Sequence, residues 1–238
     1  MVDIKNLSKS YGNKKAVNNI SFQVLPGEIF GFLGPNGAGK TTTIKMIVGL
    51  LEQDEGEIRI SGLDTRKDSL ETKRLFSYIP DSPELYPNLT GRAYLNFLAD
   101  VYGVSQEARD QAISRYGEAF AMERAVDQFI SSYSHGMKQK IALMGALIHE
   151  PQILIMDEPM VGLDPKSSFR LKEIMRELCG QGKSVFFSTH VMEVAEQLCD
   201  RIAIIDRGKI IALGTMDEIR AQAQDQGSLE KIFLELTE

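Results

Sequence analysis

An α/β fold, with a mostly parallel core sheet covered by helices on both faces, is what this 238-residue sequence predicts. Three observations carry that expectation. Apolar runs at residues 28–33, 153–157 and 184–188 alternate with helical patterns, the order in which helices bury a parallel sheet. The first run leads through Gly34-Pro35-Asn36-Gly37-Ala38-Gly39-Lys40-Thr41 into a helical stretch ending near Leu50, the strand–loop–helix setting of a phosphate-binding loop. From residue 90 to about 148 the pattern turns helical, with Leu95, Leu98, Ala99 and Tyr102 at one helical spacing and Ala112, Ile113, Tyr116 and Phe120 at another.

Composition narrows the function classes. Hydrophobic residues make up 43% and charged residues 25%, enough apolar surface for one packed domain. No apolar stretch approaches the roughly eighteen residues that span a bilayer, and no signal peptide opens the chain. A net charge of −6 and a pI near 5.3 argue against a nucleic-acid partner held by bulk charge. Cys179 and Cys199 fall on helical patterns among apolar neighbours, which predicts core packing in a reducing cytosol rather than a disulfide or metal site.

In chain order, residues 2–7, 16–24 and 28–33 read as short strands separated by turns at Tyr11-Gly12-Asn13 and Pro26-Gly27. The first two form a hairpin leading to the phosphate loop; with 57–60 and Gly62-Leu63-Asp64 they make an antiparallel β subdomain. Residues 75–79 form a strand ending at Pro80-Asp81-Ser82-Pro83, where two prolines enforce an extended loop. The helical stretch 90–149 is an inserted subdomain; no linker sets it off, so it packs on a nucleotide-binding core of 1–89 and 150–238 within a single domain. After strand 153–157 come a helix at 165–180 with Pro at its start and Gly at its end. A strand at 184–188, a helix at 191–198 and a hairpin of 201–206 and 209–213 around Arg207-Gly208 complete the core.

The chemistry gathers where these strands end. Glycines let the loop backbone curl so that successive N–H groups form an anion nest, and the positive end of the next helix faces the same phosphates. Lys40 would reach the β- and γ-phosphates of a nucleotide, and the Thr41 hydroxyl would help hold Mg²⁺. Asp157 and Glu158 close the strand 153–157, at the carboxyl end where open parallel sheets bind ligands. Asp157 is placed to bind Mg²⁺ directly or through water, and Glu158 to polarise a water for attack on the γ-phosphate. His190 follows the strand 184–188, which is expected beside the phosphate-loop strand. Tyr11 either caps the sheet edge or stacks on a purine.

The motifs resemble, in kind and in order, those of the ATP-binding subunit of an ABC transporter, and the resemblance covers nearly all of the chain. Gly34 to Thr42 resembles Walker A, and 153–158 Walker B with its glutamate; Val161-Gly162-Leu163-Asp164 resembles the D-loop, and His190 the H-loop histidine. Tyr133-Ser134-His135-Gly136-Met137 stands where Leu-Ser-Gly-Gly-Gln is expected, and residues 228–237 resemble the close of subunits serving ABC-2-type exporters. The resemblance implies a P-loop NTPase that binds and hydrolyses ATP with Mg²⁺, catalysed by Lys40, Glu158 and His190. It implies adenine stacking on Tyr11, phosphate contacts from Pro35, Asn36, Ala38 and Thr42, and Ser134, Gly136 and Asp164 at the nucleotide of an opposite subunit. It also implies a second nucleotide-binding subunit, identical or not, and a membrane permease on a separate chain, at the cytoplasmic face of the cell membrane.

Two departures stand out. His135 replaces a glycine, so its ring either crowds the opposite nucleotide or turns to solvent. Asp81 stands where the family has glutamine in its Q-loop, within reach of Mg²⁺ or its water. The alternative function is a soluble ABC ATPase acting as a switch on a macromolecular complex; such proteins join two cassettes or insert long coiled coils, and neither pattern is present. A P-loop kinase is disfavoured by the D-loop and His190.

Overall fold

The computed structural model describes residues 1–223 and 229–237. Strands β1 (Val2–Tyr11) and β2 (Lys14–Val24) pair antiparallel around the Gly12-Asn13 turn. Then follow β3 (Ile29–Leu33), α1 (Lys40–Ile47), β4 (Glu55–Ile60), β5 (Leu63–Asp64), α2 (Ser69–Lys73) and β6 (Phe76–Ile79). Three helices come next, α3 (Gly91–Val101), α4 (Gln106–Phe120) and α5 (His135–Leu147). The chain returns to β7 (Ile153–Asp157), α6 (Pro165–Gly180), β8 (Ser184–Thr189), α7 (Met192–Leu198), β9 (Arg201–Asp206) and β10 (Lys209–Gly214). Helices α8 (Met216–Ala223) and α9 (Leu229–Thr237) follow; Ser228, where the exporter-like ending starts, lies outside the described residues.

Two sheets result. One runs β2-β1-β4-β5 and is antiparallel. The other runs β10-β9-β3-β8-β7-β6 and is parallel except for its edge strand β10. β3, β7 and β8 are buried along their whole length, which is why their sequences carry no alternation of polar residues. Side chains still alternate between two apolar layers. Leu154, Met156, Val185 and Phe187 face the helices, while Ile153, Ile155, Phe186, Phe30 and Phe32 face the antiparallel sheet, a period of two. Phe22 of β2 stacks on Phe30 and Phe32 with ring centroids 5.4 Å apart in each pair. Each such ring contributes roughly 1.5–3 kcal/mol by burial, and together they fix the sheets against each other.

The helical stretch is broken where the sequence predicts continuity. Gly103 (φ 69) ends α3 and Ser105 caps α4 through the Ala108 N–H. Ala121, at φ 54, ends α4 in the left-handed conformation, and turns with a 3-10 segment at Ile130–Ser132 lead to α5. Helix α2, of five residues, is too short for a helical period to register in the sequence. Both cysteines are free thiols; burial pushes Cys179 up to about 11 and raises Cys199 as well, as core packing predicts.

His149 ties the helical layer to the core sheet. Its ring stacks flat on Tyr102 beyond α3, with centroids 3.6 Å apart and planes within 4°, and its Nε2 lies 3.3 Å from Ser77 Oγ on β6. Burial, aided by the Lys183 ammonium and opposed by the Phe76 backbone, pulls its pKa from 6.5 down to about 4. The unfolded chain therefore takes up a proton that the folded chain refuses as pH falls below 6.5. Stability should fall progressively from there, by on the order of 1–2 kcal/mol after solvent screening, with the loss complete near pH 4. His149→Phe keeps the stack and removes the titration, so its melting temperature should drop less steeply across that interval. A slope equal to that of the unsubstituted protein would show that His149 does not titrate on unfolding.

Candidate functional site

Register brings the functional loops to one edge. Leu33 pairs with Thr189, and Asp157 with Ser188, so the segments after β3, β7 and β8 emerge side by side. The phosphate loop owes its curl to Gly37 (φ 82) and Gly39 (φ 115), angles that side chains resist. A Cβ on Gly34 would stand 2.2 Å from Ile205 O, and one on Gly39 2.5 Å from Ala16 O. The β9–β10 turn also supports the loop from behind, where the Gly208 N–H donates to Ala38 O at 2.9 Å. Nothing in the sequence marks Ile205 or Gly208 for this service; their contacts are backbone contacts across 170 residues or so of chain.

Lys40 sits inside the curl, buried. Its Nζ donates to Gly34 O at 2.7 Å and Pro35 O at 3.2 Å, and lies 3.5 Å from Glu158 Oε1. That last separation is an ion pair too long for a directed hydrogen bond, so Glu158 Oε1 remains buried without a donor. The other oxygen, Oε2, is 3.0 Å from His190 Nδ1. Glu158 has φ 49, a left-handed backbone that is uncommon outside glycine and concentrates at functional sites. Ser188 holds it there: the Glu158 N–H donates to Ser188 O at 3.2 Å and to Ser188 Oγ at 3.1 Å. The Ser188 hydroxyl in turn donates to Asp157 Oδ1. Sequence reasoning passed over Ser188, which looks like filler inside an apolar strand.

A cavity of about 330 Å³ opens over the loop, lined by Tyr11, Lys14, Ala16, Asn36, Gly37, Gly39, Lys40, Thr41, Thr42, Asp81 and Glu158. Volume alone does not single it out, since a cavity of about 340 Å³ lies against α4 and the end of α5. Its lining does: a half-exposed aromatic, a glycine cradle, two lysines and two carboxylates converge. Gly34 and Ala38 are buried behind the cradle, Pro35 is exposed at its rim, and Asp157 lies beneath Glu158 with His190 exposed beside it.

Ser134, Gly136 and Asp164 are not among the cavity's lining residues. Ser134 caps α5, accepting from the Met137 N–H at 3.3 Å. Tyr133 is a core residue whose hydroxyl donates to Ala125 O at 2.7 Å. Asp164 caps α6 through the Ser167 N–H at 2.9 Å and pairs with Lys140 of α5 at 2.6 Å. The Lys140 ammonium, then the Ser167 donors, hold its carboxyl well below the usual carboxylate range. His135 is exposed, yet its ring lies across Gly162, a placement that neither sequence reading anticipates.

The residues present suit a divalent ion bridged to a nucleotide. Asp157 Oδ2 is buried with no hydrogen-bond partner, and the exposed Thr41 lines the cavity together with Glu158, the residue after Asp157. Mg²⁺ is an ion held by one or two protein groups plus substrate phosphates, and Asp157 and Thr41 are groups of that kind.

A curled anion nest at a helix start, with a lysine inside it and an acid pair ending the next strand but one, answers the shape and charge of a polyphosphate; fold and site together define a P-loop NTPase. A family model described as ABC transporter matches residues 17–161, and the chain belongs to that family. It is 43% identical over 220 residues to the linearmycin resistance ATP-binding protein LnrL of Bacillus subtilis, covering 92% of this chain and 70% of that one. The ABC-type transporter ATP-binding protein EcsA of the same organism is 37% identical over 238 residues, covering 100% and 96%. A solved ATP-binding subunit of an ABC transporter superposes with a TM-score of 0.96 at 37% identity, covering 100% of both chains. A dimeric cassette in a post-hydrolysis state, bound to ADP and Pi, superposes with a TM-score of 0.82 at 27% identity, covering 91% of this chain and 99% of that one. Within the family this chain is an ATP-binding subunit with ATPase activity, as its motifs predict.

Proposed function

We propose that this subunit binds ATP between itself and a second nucleotide-binding subunit, arranged head to tail, and drives a separate membrane permease of the ABC-2 exporter type. One observation carries this: the site is divided. Lys40 and Glu158 line the cavity and His190 lies 3.0 Å from Glu158 Oε2, while Ser134, at the start of α5, its neighbour Gly136, and Asp164, at the start of α6, stand outside that lining, so a second subunit would bring the latter set over the nucleotide. The resistance named for one relative and the Nod factor export named for another support an exporter. Among the described residues no helix is long and apolar enough to cross a membrane; the membrane path is assigned to the partner chain, with this subunit peripheral at the cytoplasmic face. The chain works as a single domain, with a nucleotide-binding core of 1–89 and 150–238 and a helical subdomain of 90–149.

In this arrangement Tyr11 stacks on adenine, and Gly34 to Thr42 wraps the phosphates. Thr41, Asp157 and Asp81 would hold Mg²⁺, which when bound neutralises charge on the β- and γ-phosphates. Lys40 turns from Gly34 O and Glu158 toward the phosphates, leaving Glu158 free to accept a proton from the attacking water. The water oxygen bonds to the γ-phosphorus, the bond from that phosphorus to the bridging oxygen breaks, and ADP carries the electron pair away. His190, beside Glu158 Oε2, holds the γ-phosphate. The Pro80–Pro83 loop carries Asp81 into the cavity rim and borders the helical layer. Asp81→Ala should lower basal ATPase but leave it measurable while abolishing its stimulation by the permease, since a carboxylate some 4 Å from a charge is worth about 1–4 kcal/mol. Full stimulation in that variant would show that the loop does not couple the two chains. The arrangement as a whole is tested by purifying the tagged subunit from detergent-solubilised membranes. A co-purifying integral membrane protein that raises its ATPase rate is expected; recovery with only soluble partners would favour the switch on a macromolecular complex.

A further inference from the structure

We propose that His135 is a positioning residue that clamps the loop from Val161 to Asp164 onto the start of α5, so that both segments move as one body. The ring occupies the space beside Gly162 that a side chain there would need. A Cβ built on Gly162 would stand 2.6 Å from Cδ2 and 2.9 Å from Nε2 of the His135 ring, so the ring covers the face from which a side chain at 162 would project. Gly162 sits at φ 81, a glycine conformation, and that turn presents its bare α-carbon to the imidazole. Next along α5, a Cβ on Gly136 would stand 2.8 Å from Gly162 O. One turn further, Lys140 pairs with Asp164 at 2.6 Å. Gly136 and Lys140, four residues apart, share a helix face, and that face is held against the loop.

The loop has a second attachment. The Val161 N–H donates to Glu158 O at 3.1 Å, and Asp164 caps α6. A displacement at the start of α5 is therefore transmitted through Gly162 to the backbone of Glu158. With glycine at 135 this linkage would rest on Gly136 and Lys140 alone; here a planar side chain adds a third contact. The effect on turnover rests on the head-to-tail arrangement proposed above, in which Ser134 and Gly136 reach the opposite nucleotide. The clamp itself is a property of one chain.

Amide hydrogen exchange on the nucleotide-free protein, followed in the peptide covering residues 160–166, separates the two. His135→Gly should raise exchange there by about tenfold or more, the signature of a loop that opens locally. His135→Phe, which restores a planar cover without a titratable group, should return protection and turnover together and leave the pH profile of turnover unchanged. His135→Gly should lower kcat severalfold while ATP affinity of the isolated subunit changes by no more than about twofold, because the cavity lies elsewhere. Gly162→Ala should open the loop as well, and in the His135→Gly background its added effect should shrink, since the backbone strain cancels in the cycle and the ring clash does not. Unchanged exchange in His135→Gly, failure of His135→Phe to restore protection, or strictly additive effects of the pair would each overturn the clamp. Altered exchange with no loss of kcat would keep the clamp and overturn its transmission to Glu158, whereas failure of ATP to dimerise a hydrolysis-deficient variant would count against the head-to-tail arrangement alone.

Discussion

Glu158→Gln should bind MgATP with nearly the affinity of the unsubstituted protein and turn it over about 10²–10³ times more slowly. The amide has the size and shape of the carboxylate, so the backbone at φ 49 and its two hydrogen bonds from the Glu158 N–H to Ser188 are kept. What disappears is the proton acceptor. Charge on Oε1 and Oε2, set 3.5 Å from Lys40 and 3.0 Å from His190, is also lost, which removes like-charge repulsion toward the incoming triphosphate and favours the closed state. ATP should then accumulate unhydrolysed between subunits, and a dimer dependent on ATP should elute from a sizing column. Turnover within threefold of the unsubstituted rate would show that another group orients the water. A slow enzyme that stays monomeric with ATP would keep Glu158 as the base and remove the sandwiched dimer.

The residues named from sequence were those whose chemistry is local. Gly34 to Thr41 could be read because a curled anion nest needs glycines at fixed spacing, and Asp157-Glu158 because an acid pair ending an apolar strand is a short-range pattern. The parallel sheet was legible for a related reason: apart from Asp157 at the end of β7, β3, β7 and β8 are uncharged, and burial on both faces is what such runs indicate. The rest depends on partners far apart in the chain. Ser188 supports Asp157 and Glu158 from a neighbouring strand, and its role exists only once β7 and β8 pair. Lys140 and Asp164 lie on different helices, and His135 finds Gly162 only because α5 crosses the loop after β7. A glycine replaced by histidine reads in sequence as a ring that crowds the opposite nucleotide or turns to solvent; in the fold that ring lies across Gly162. Continuity of helix over 90–148 failed at Ala121, whose left-handed conformation no propensity suggests.

Lys40→Ala should bind MgATP only weakly, with the site no more than about half occupied at 100 times the unsubstituted dissociation constant. A charge-assisted hydrogen bond to phosphate contributes about 1.5–3 kcal/mol, so the dissociation constant should rise on the order of 10²-fold. The substitution also strips donors from Gly34 O and Pro35 O, which Lys40 holds at 2.7 and 3.2 Å, and removes the cation nearest Glu158. The loop therefore loses its internal tie as well as its phosphate contact, and a modest drop in the nucleotide-free melting temperature is expected. The two effects are separable by ligand linkage. At an ATP concentration near 100 times the unsubstituted dissociation constant, binding stabilises the fold by about 2.7 kcal/mol. A 10²-fold weaker site gains only about 0.4 kcal/mol at that same concentration. The ATP-induced shift in melting temperature should thus nearly vanish in Lys40→Ala while the nucleotide-free protein still unfolds cooperatively. A shift equal to that of the unsubstituted protein would mean that the glycine cradle and α1 carry the phosphates without the lysine, and that Lys40 serves only to brace the empty loop.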